Sequence, residues 1–255
     1  MILSSSIIGS GNPIIILHGL FGESKNWNSI AKELALSHEV HLIDQRNHGN
    51  SFHHTQHNYK VLANDLYQYI NEHDMKDYVI IGHSMGGKVA MKFGFMYPSE
   101  LKQLIIVDIA PREYKDNHGQ IFQGLNQVLL DAKSRKDANK ILVKHVNDMA
   151  TVNFLLKGFC LSEDKGAKFK FNVKSLEKNI NYMLGSLKKH NNFNGMTYFI
   201  SGSKSNYIQK SDIKDISNLF PRNKIIQIND AGHWVHFDAK EQFLHTIKNI
   251  LNNNL

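Results

Sequence analysis

A serine with a glycine two positions away on either side is the residue of this chain best suited to act as a nucleophile. Ser84 lies in a G-x-S-x-G pattern with Gly82 and Gly86, where the apolar run 78–81 meets a segment with helical spacing. Glycine lacks a Cβ, so the backbone can pass closely there, and a serine on a sharp strand-to-helix turn presents its hydroxyl oxygen clear of the backbone. The N–H of Met85 should point to the same space. The pattern predicts a nucleophilic serine, although the motif alone also occurs in ordinary turns.

His233 is the histidine that the sequence places best for activating this serine. It follows the apolar run 224–228 and is C-terminal to Ser84, and serine, acid, histidine is a chain order found in nucleophile-elbow triads. The chain has no clear carboxylate or thiolate partner for the three histidines clustered at 53–57, so we predict no metal site and no cofactor. The other histidines considered are interpreted as structural or solvated: His18, His53, His54, His57, His83 and His236.

The acid of such a triad has two candidate positions. The commonest pattern places a carboxylate after the strand that ends near residue 202, but this chain has serines there. Asp108, at the carboxyl end of the preceding predicted strand, could reach the same imidazole. We prefer Asp108 to Asp212, which should lie on a following helix. Ser205 is expected to add a hydrogen bond to His233, and the acid would fix the tautomer whose free nitrogen accepts the serine proton.

A glycine-containing turn after the first apolar run could bind the oxyanion of a tetrahedral intermediate. Residues 18–22 have the sequence HGLFG and directly follow the run 14–17. The N–H of Leu20 is predicted to lie beside the N–H of Met85, so that both could donate to one oxygen. Removing a single such donor costs about 3 kcal/mol of transition-state stabilisation.

Short apolar runs alternate with helical spacing over most of the chain. Continuous apolar runs are typical of strands buried on both faces, and strands alternating with helices predict a mostly parallel sheet covered by helices on both faces. Between 111 and 195 helical patterns such as Leu142, Val146, Met149 and Val152 replace the strands, which predicts a helical cap inserted before the last two strands. The predicted α/β core is residues 1–110 and 196–255. The predicted strands include 14–17, 40–43, 78–81, 104–107, 198–200 and 224–228.

The formal net charge of +7 belongs to the predicted cap. Residues 111–195 carry fifteen of the 30 Lys and Arg but only eight of the 23 Asp and Glu. Nucleic-acid binding is disfavoured, because the lysines are not interleaved with aromatic residues or arranged on a recognition helix. A solvated lysine-rich face, or attraction of an anionic substrate or membrane surface, remains open.

Cellular location is predicted only from general features of the sequence. The single Cys160 excludes an internal disulfide framework, and residues 1–20 lack a basic region and a long apolar core. We therefore expect a soluble cytoplasmic protein without stable membrane insertion. The sequence does not predict an oligomeric state.

Five segments together resemble the α/β-hydrolases and, more narrowly, the bacterial YbfF-type esterases and their mitochondrial relatives. They are HGLFG at 18–22, DQRNHGNS at 44–51, GHSMGGK at 82–88, DIAP at 108–111 and AGHWVH at 231–236. The FKFNV segment at 169–173 inside the predicted cap also resembles that family. The resemblance implies hydrolysis of carboxylic esters and acyl-CoA thioesters, with Asp108 at the position that follows the sixth strand of that family's fold and supplies the acid.

These observations predict a cofactor-free serine carboxylesterase or acyl-CoA thioesterase. Ser84, His233 and Asp108 would act through an acyl-enzyme on short- to medium- or long-chain acyl groups. An acyltransferase or a perhydrolase would keep the same triad and stays an alternative. A ligand-binding receptor on the same scaffold is disfavoured by the complete triad. The candidate acyl-pocket residues are Phe21, Phe154, Leu155, Phe159 and Trp234.

Overall fold

A computed structural model describes residues 1–162, 166–187 and 192–252. The strands are β1 (Ser5–Ile8), β2 (Asn12–Leu17), β3 (His38–Ile43), β4 (Tyr78–His83), β5 (Leu101–Val107), β6 (Phe159–Ser162), β7 (Gly166–Phe169), β8 (Met196–Gly202) and β9 (Asn223–Ile228). The α-helices are α1 (Asn28–Leu34), α2 (Tyr59–Glu72), α3 (Met85–Met96), α4 (Gly119–Asp131), α5 (Arg135–His145), α6 (Met149–Lys157), α7 (Val173–Leu184), α8 (Ile213–Leu219), α9 (Val235–Asp238) and α10 (Lys240–Leu251). Single 3₁₀ turns occupy Ser24–Trp27 and Lys210–Asp212.

One seven-stranded sheet organises the molecule, in the order β1-β3-β2-β4-β5-β8-β9. Every neighbouring pair is parallel except β1 with β3. The mostly parallel sheet predicted from the sequence is thus confirmed. The sequence analysis missed β1, because Ser5 and Ser6 are polar and exposed, and backbone pairing with β3 holds this strand at the edge.

The two faces of the sheet contact separate hydrophobic clusters. Alternate residues of β2 illustrate the division: Ile15 packs in the cluster with α2 and α3, whereas Ile14 packs in the cluster with α1 and α10. Both side chains are completely buried. Side chains of a strand alternate between faces, so a strand covered on both sides must be apolar throughout. The carboxyl ends of the parallel strands therefore lie together at one edge of a buried sheet.

The segment between β5 and β8 contains α4 to α7 and a two-stranded antiparallel hairpin, β6–β7. The helical patterns did not predict this hairpin. The spacing at residues 142–152 also belongs to two helices, because α5 ends before Val146, which is extended. Asp148 then caps α6 by accepting hydrogen bonds from the N–H groups of Ala150 and Thr151. The insert is therefore a mixed structure in which helices predominate.

No helix in the described ranges combines the length and the apolar character needed to cross a membrane.

Candidate active site

Ser84 occupies a strained turn between β4 and α3. Its φ of 52° and ψ of −117° lie in a region that a residue with a side chain rarely adopts. A Cβ on Gly82 would lie 2.3 Å from the carbonyl oxygen of Gly86, and a Cβ on Gly86 would lie 2.4 Å from that of Leu17. Both glycines are therefore required for the chain to turn here. The serine is placed at the carboxyl edge of the sheet, where its N–H donates to the Val107 carbonyl at 3.0 Å.

Asp108 and His233 form a hydrogen-bonded pair at the same edge. The N–H at Nδ1 of His233 donates to Oδ2 of Asp108 at 2.8 Å, and the carboxylate is completely buried. This contact leaves Nε2 of His233 as the nitrogen that can accept a proton. The other oxygen, Oδ1, accepts from the N–H of Gly202 at 3.2 Å. Ser205 was expected to bond to His233, but its hydroxyl donates to Asp108 Oδ2 instead, because His233 Nδ1 is already bound to that carboxylate.

The alternative acid, Asp212, is bound elsewhere. Its Oδ2 accepts from the N–H of Gln209 at 2.8 Å and from Nε of Arg112 at 3.2 Å. Asp212 lies at the end of the 3₁₀ turn before α8. The structure thus brings Asp108, rather than Asp212, to His233.

The imidazole of His233 contacts two other rings. The Tyr207 ring stacks on it with a centroid distance of 3.7 Å and an interplanar angle of 16°, and the His83 ring lies 4.7 Å away. Nε2–H of His83 donates to the His233 carbonyl at 2.8 Å. Burial holds the pKa of His83 well below its usual 6.5, so this ring is neutral. His83 thus has the structural role expected from the sequence.

Leu20 and Met85, the two residues predicted to donate to an oxyanion, both border the cavity of Ser84. Met85 is the first residue of α3, so its N–H has no acceptor within that helix. Leu20 lies in a turn that the N–H of Gly22 closes by donating to the Gly19 carbonyl at 3.1 Å. Leu20, Ser84 and Met85 line one cavity.

Two buried histidines brace the turn that carries Leu20. His18 Nε2 accepts from the Gln45 N–H at 3.1 Å, and its Nδ1–H donates to the Gly19 carbonyl at 2.8 Å. His48 Nε2 accepts from the Phe21 N–H at 3.2 Å. Burial and the neighbouring histidines hold the pKa of His48 well below 6.5, which keeps it an acceptor. The sequence analysis anticipated the role of His18 but missed His48, whose only signal is the motif at 44–51.

The cavity that contains Ser84 has a volume of about 600 Å³. Its apolar wall comes largely from α7 and from tyrosines, and its polar wall comes from the start of the insert and from the loop after β8. The residues besides Leu20, Ser84 and Met85 are Tyr59, Ile109, Arg112, Tyr114, Lys115, Asn117, His118, Ile121, Ile180, Met183, Leu184, Asn206, Tyr207 and Gln209.

None of the five aromatic or aliphatic residues expected to form the acyl pocket is among the described residues that line this cavity. Phe21 packs against Phe122 and Phe171, and Phe159 packs against Phe169. Leu155 is completely buried in the core, and Phe154 contacts Trp234. These side chains join the insert to the core and to the loop after β9. The apolar character of these residues in the sequence did not distinguish a packed contact from a cavity wall.

The histidines at 53–57 are not brought together as metal ligands. His57 is completely buried with Nδ1 accepting from the Asn47 side chain at 3.3 Å, and His54 Nδ1 accepts from the Gln56 N–H. Within the described residues, no cluster of three or more His, Cys, Asp or Glu side chains could hold a metal ion.

Comparisons of the chain with known proteins agree with the fold and with this arrangement of Ser84, Asp108 and His233. Residues 12–240 match a family described by the alpha/beta hydrolase fold. The chain belongs to the α/β-hydrolase family. It is 33% identical to the esterase YbfF of Escherichia coli over 245 residues, which cover 95% of this chain and 94% of that protein. The predicted resemblance to YbfF is thereby confirmed.

Two further relatives cover most of this α/β-hydrolase. An sn-1-specific diacylglycerol lipase from Danio rerio is 34% identical, covering 94% of this chain and 78% of that protein. A solved structure of a marine microorganism esterase superposes with a TM-score of 0.93 at 37% identity, covering 96% of this chain and 98% of that one.

Proposed function

We propose that this α/β-hydrolase is a serine esterase in which Ser84, His233 and Asp108 form the catalytic triad. The observation that carries the proposal is the 2.8 Å bond from His233 to the buried Asp108, beside the strained turn of Ser84. A serine is a weak nucleophile unless an oriented base accepts its proton. The names of the relatives as esterases and a lipase support the same reaction class.

The proposed reaction has two stages, acylation of Ser84 and hydrolysis of the acyl-enzyme. Ser84 Oγ attacks the acyl carbonyl carbon as its proton passes to His233 Nε2, and the Leu20 and Met85 N–H groups donate to the oxyanion. The C–O or C–S bond of the substrate then breaks, and the leaving group takes the proton from His233. Water then attacks the carbonyl carbon of the acyl-enzyme as its proton passes to His233. The bond to Ser84 Oγ breaks, Ser84 takes the proton from His233, and the acid is released. Asp108 stays ionised and stabilises the imidazolium.

The cavity supports an acyl chain longer than acetyl as the substrate. Its volume of about 600 Å³ is within the usual range of small-molecule sites, and Ile180, Met183 and Leu184 supply apolar surface. The positive charge of residues 111–195 favours an acyl-CoA thioester, because the CoA group is anionic. Added salt should then reduce kcat/KM for an acyl-CoA more than for a neutral ester of the same acyl group. Equal salt dependence would contradict the acyl-CoA assignment.

The decisive test compares 4-nitrophenyl esters of increasing chain length with matched acyl-CoAs, for wild type and Ser84→Ala. We expect the substitution to lower kcat by at least about 10³-fold, because it removes the nucleophile. Ser203→Ala, at an exposed serine in the loop after β8, is the matched control and should keep wild-type rates. Retained activity in Ser84→Ala would contradict the proposal. Addition of an alcohol acceptor or peroxide would reveal an acyltransferase or perhydrolase that uses the same triad.

A further inference from the structure

Lys88 is a buried charged residue that the proposed chemistry does not use. It lies four positions after Ser84 in α3, and its backbone N–H donates to the Ser84 carbonyl at 3.1 Å. Its side chain is only 1% exposed. None of the carboxylates in the described ranges forms an ion pair with it. Burial of a cation without a carboxylate is costly, so its remaining contacts must account for its position.

The ammonium of Lys88 binds the start of the insert and the C-terminal end of its helix α7. Its Nζ donates to the Arg112 carbonyl at 2.8 Å, where the chain enters the insert. It also donates to the carbonyls of Gly185 at 2.7 Å and Leu184 at 3.3 Å, at the C-terminal end of α7. An ammonium has three N–H donors, and each of them has an acceptor here. Lys88 therefore ties the entry and the end of α7 to the helix of Ser84.

The same side chain lies behind the cavity wall. Nζ is 4.8 Å from the ring centroid of Tyr114 and 5.7 Å from that of Tyr59. The Tyr59 hydroxyl donates to the Met183 carbonyl at 2.6 Å. Both tyrosines, Met183 and Leu184 line the cavity that contains Ser84. A change at Lys88 would thus be transmitted to the wall through direct contacts.

We propose that Lys88 is a positioning residue that fixes the Tyr59, Tyr114 and Leu184 wall and thereby sets the preference for longer acyl chains. This inference rests on the proposed esterase function. An acetyl group occupies little more than the space next to the nucleophile and the oxyanion donors. A longer chain needs the apolar wall, so its binding depends on the place at which Lys88 holds that wall.

The protonation of Lys88 offers a test in the unaltered protein. Burial lowers the pKa of Lys88 to about 7, with Arg112 lowering it further and Glu113 opposing the shift. Tyr59 and Tyr114 also face the ammonium, and burial raises the pKa of both, so they stay neutral. The neutral amine donates one hydrogen bond fewer and loses its attraction to the two rings. The preference for a long over a short ester should therefore fall as pH rises through about 7.

The experiment measures kcat/KM for the acetyl and octanoyl 4-nitrophenyl esters between pH 6 and 9, for wild type and variants. Their ratio cancels any effect of pH on the catalytic steps that both reactions share. We expect Lys88→Met to lower the octanoyl-to-acetyl ratio about tenfold, chiefly through KM, and to remove its pH dependence. Lys88→Arg, which keeps the charge and the donors, should restore part of the ratio. Lys60→Met changes an exposed lysine beside Tyr59 and should leave the ratio unchanged.

An unchanged ratio in Lys88→Met would overturn the inference, and so would equal losses for both esters. If that variant does not fold, the octanoyl-to-acetyl ratio of the wild type provides the test. A wild-type ratio that does not change with pH would overturn the inference. Amide hydrogen exchange gives a readout that needs no catalysis: Tyr114 N–H donates to the Leu184 carbonyl and Leu187 N–H to the Pro111 carbonyl. Both amides should exchange faster in Lys88→Met. If the wild type showed no hydrolysis that depends on Ser84, the esterase proposal would be contradicted. The exchange rates would still test whether Lys88 holds the wall in place.

Discussion

Asp108 accepts three hydrogen bonds although its carboxylate is completely buried. The donors are His233 Nδ1, the Ser205 hydroxyl and the Gly202 N–H. A buried carboxylate is tolerated only when its lone pairs are satisfied, and each donor also limits how the group can rotate. The acid that should orient His233 is therefore itself oriented by two groups from β8 and the loop that follows.

Substitutions at Asp108 and Ser205 should differ greatly in effect. Asp108→Asn is expected to lower kcat by about 10³- to 10⁴-fold, because an amide no longer favours the catalytic tautomer of the histidine or stabilises the imidazolium. Ser205→Ala should lower kcat by about tenfold or less, since two donors to the carboxylate remain. Steady-state rates on one ester, with circular dichroism to verify folding, measure both.

Asp212→Asn is the matched control for this assignment. Asp212 is also buried, at 3% exposed, but it pairs with Arg112. A loss of kcat in Asp212→Asn as large as that in Asp108→Asn would show that the triad acid is assigned to the wrong residue.

At the scale of secondary-structure elements, the site depends on a close approach between α3 and β2. The turn after Ser84 brings Gly86 so near to β2 that a Cβ would lie 2.4 Å from the Leu17 oxygen and 2.7 Å from the His18 oxygen. Both contacts are to backbone atoms, which cannot move aside as a flexible side chain could. The same approach brings the start of α3 next to the turn of Leu20.

Gly86→Ala should consequently impair both stability and catalysis. We expect the free energy of unfolding to fall by about 1 to 3 kcal/mol, as for other overpacked sites, and kcat to fall because the Met85 N–H moves away from the oxyanion. Urea unfolding and ester hydrolysis test the two effects. Gly119→Ala is the control: a Cβ there would meet no described atom within 4 Å, at the start of α4. A Gly86→Ala variant as stable and active as Gly119→Ala would refute the packing argument.

The central strands that the sequence predicted are buried on both faces, whereas the predicted run at 224–228 forms the edge strand β9, whose residues are mostly exposed or half-buried. The run at 14–17 and the strand before Ser84 could be identified because a short, continuous apolar run is typical of a strand in the middle of a parallel sheet. β1 and the β6–β7 hairpin were missed because backbone pairing, which leaves little pattern in side chains, holds them together. The candidate triad was inferred from the order of residues after strands. The cavity wall did not, because Phe154 and Tyr59 are both aromatic in sequence and only packing separates their roles.

At the scale of the whole molecule, several histidines are buried in the neutral state. Burial is the main cause of the lowered pKa in each, and the pKa of His57 and of His236 falls to about 3. The histidines concerned are His18, His48, His57, His83 and His236. His18 and His48 bind the turn that carries Leu20, His57 contacts His48, and His83 contacts both His233 and His236. These histidines bind a proton more readily in the unfolded chain than in the folded one. Acidic pH should therefore favour unfolding of the structure around the site.

The folded protein should lose stability steeply between about pH 6.5 and pH 3. In the unfolded chain a histidine binds a proton below its pKa of 6.5, whereas folded His57 and His236 remain neutral down to about 3. The unfolded state thus binds more protons, so the free energy of unfolding falls as pH falls, by about 2.7 kcal/mol per pH unit for these two residues. Urea unfolding at a series of pH values measures the slope.

The variant His236→Phe tests how much one of these histidines contributes to the pH dependence of the free energy of unfolding. The His236 ring stacks on Trp27 with a centroid distance of 3.9 Å, and phenylalanine preserves a ring in that place without a titrating group. We expect the slope to decrease by about 1.4 kcal/mol per pH unit, the value for a single proton. His245→Gln, at an exposed position of α10, should leave the slope unchanged. If His236→Phe retained the full wild-type slope, buried neutral histidines would not be the origin of the acid sensitivity, and the carboxylates would have to be considered instead.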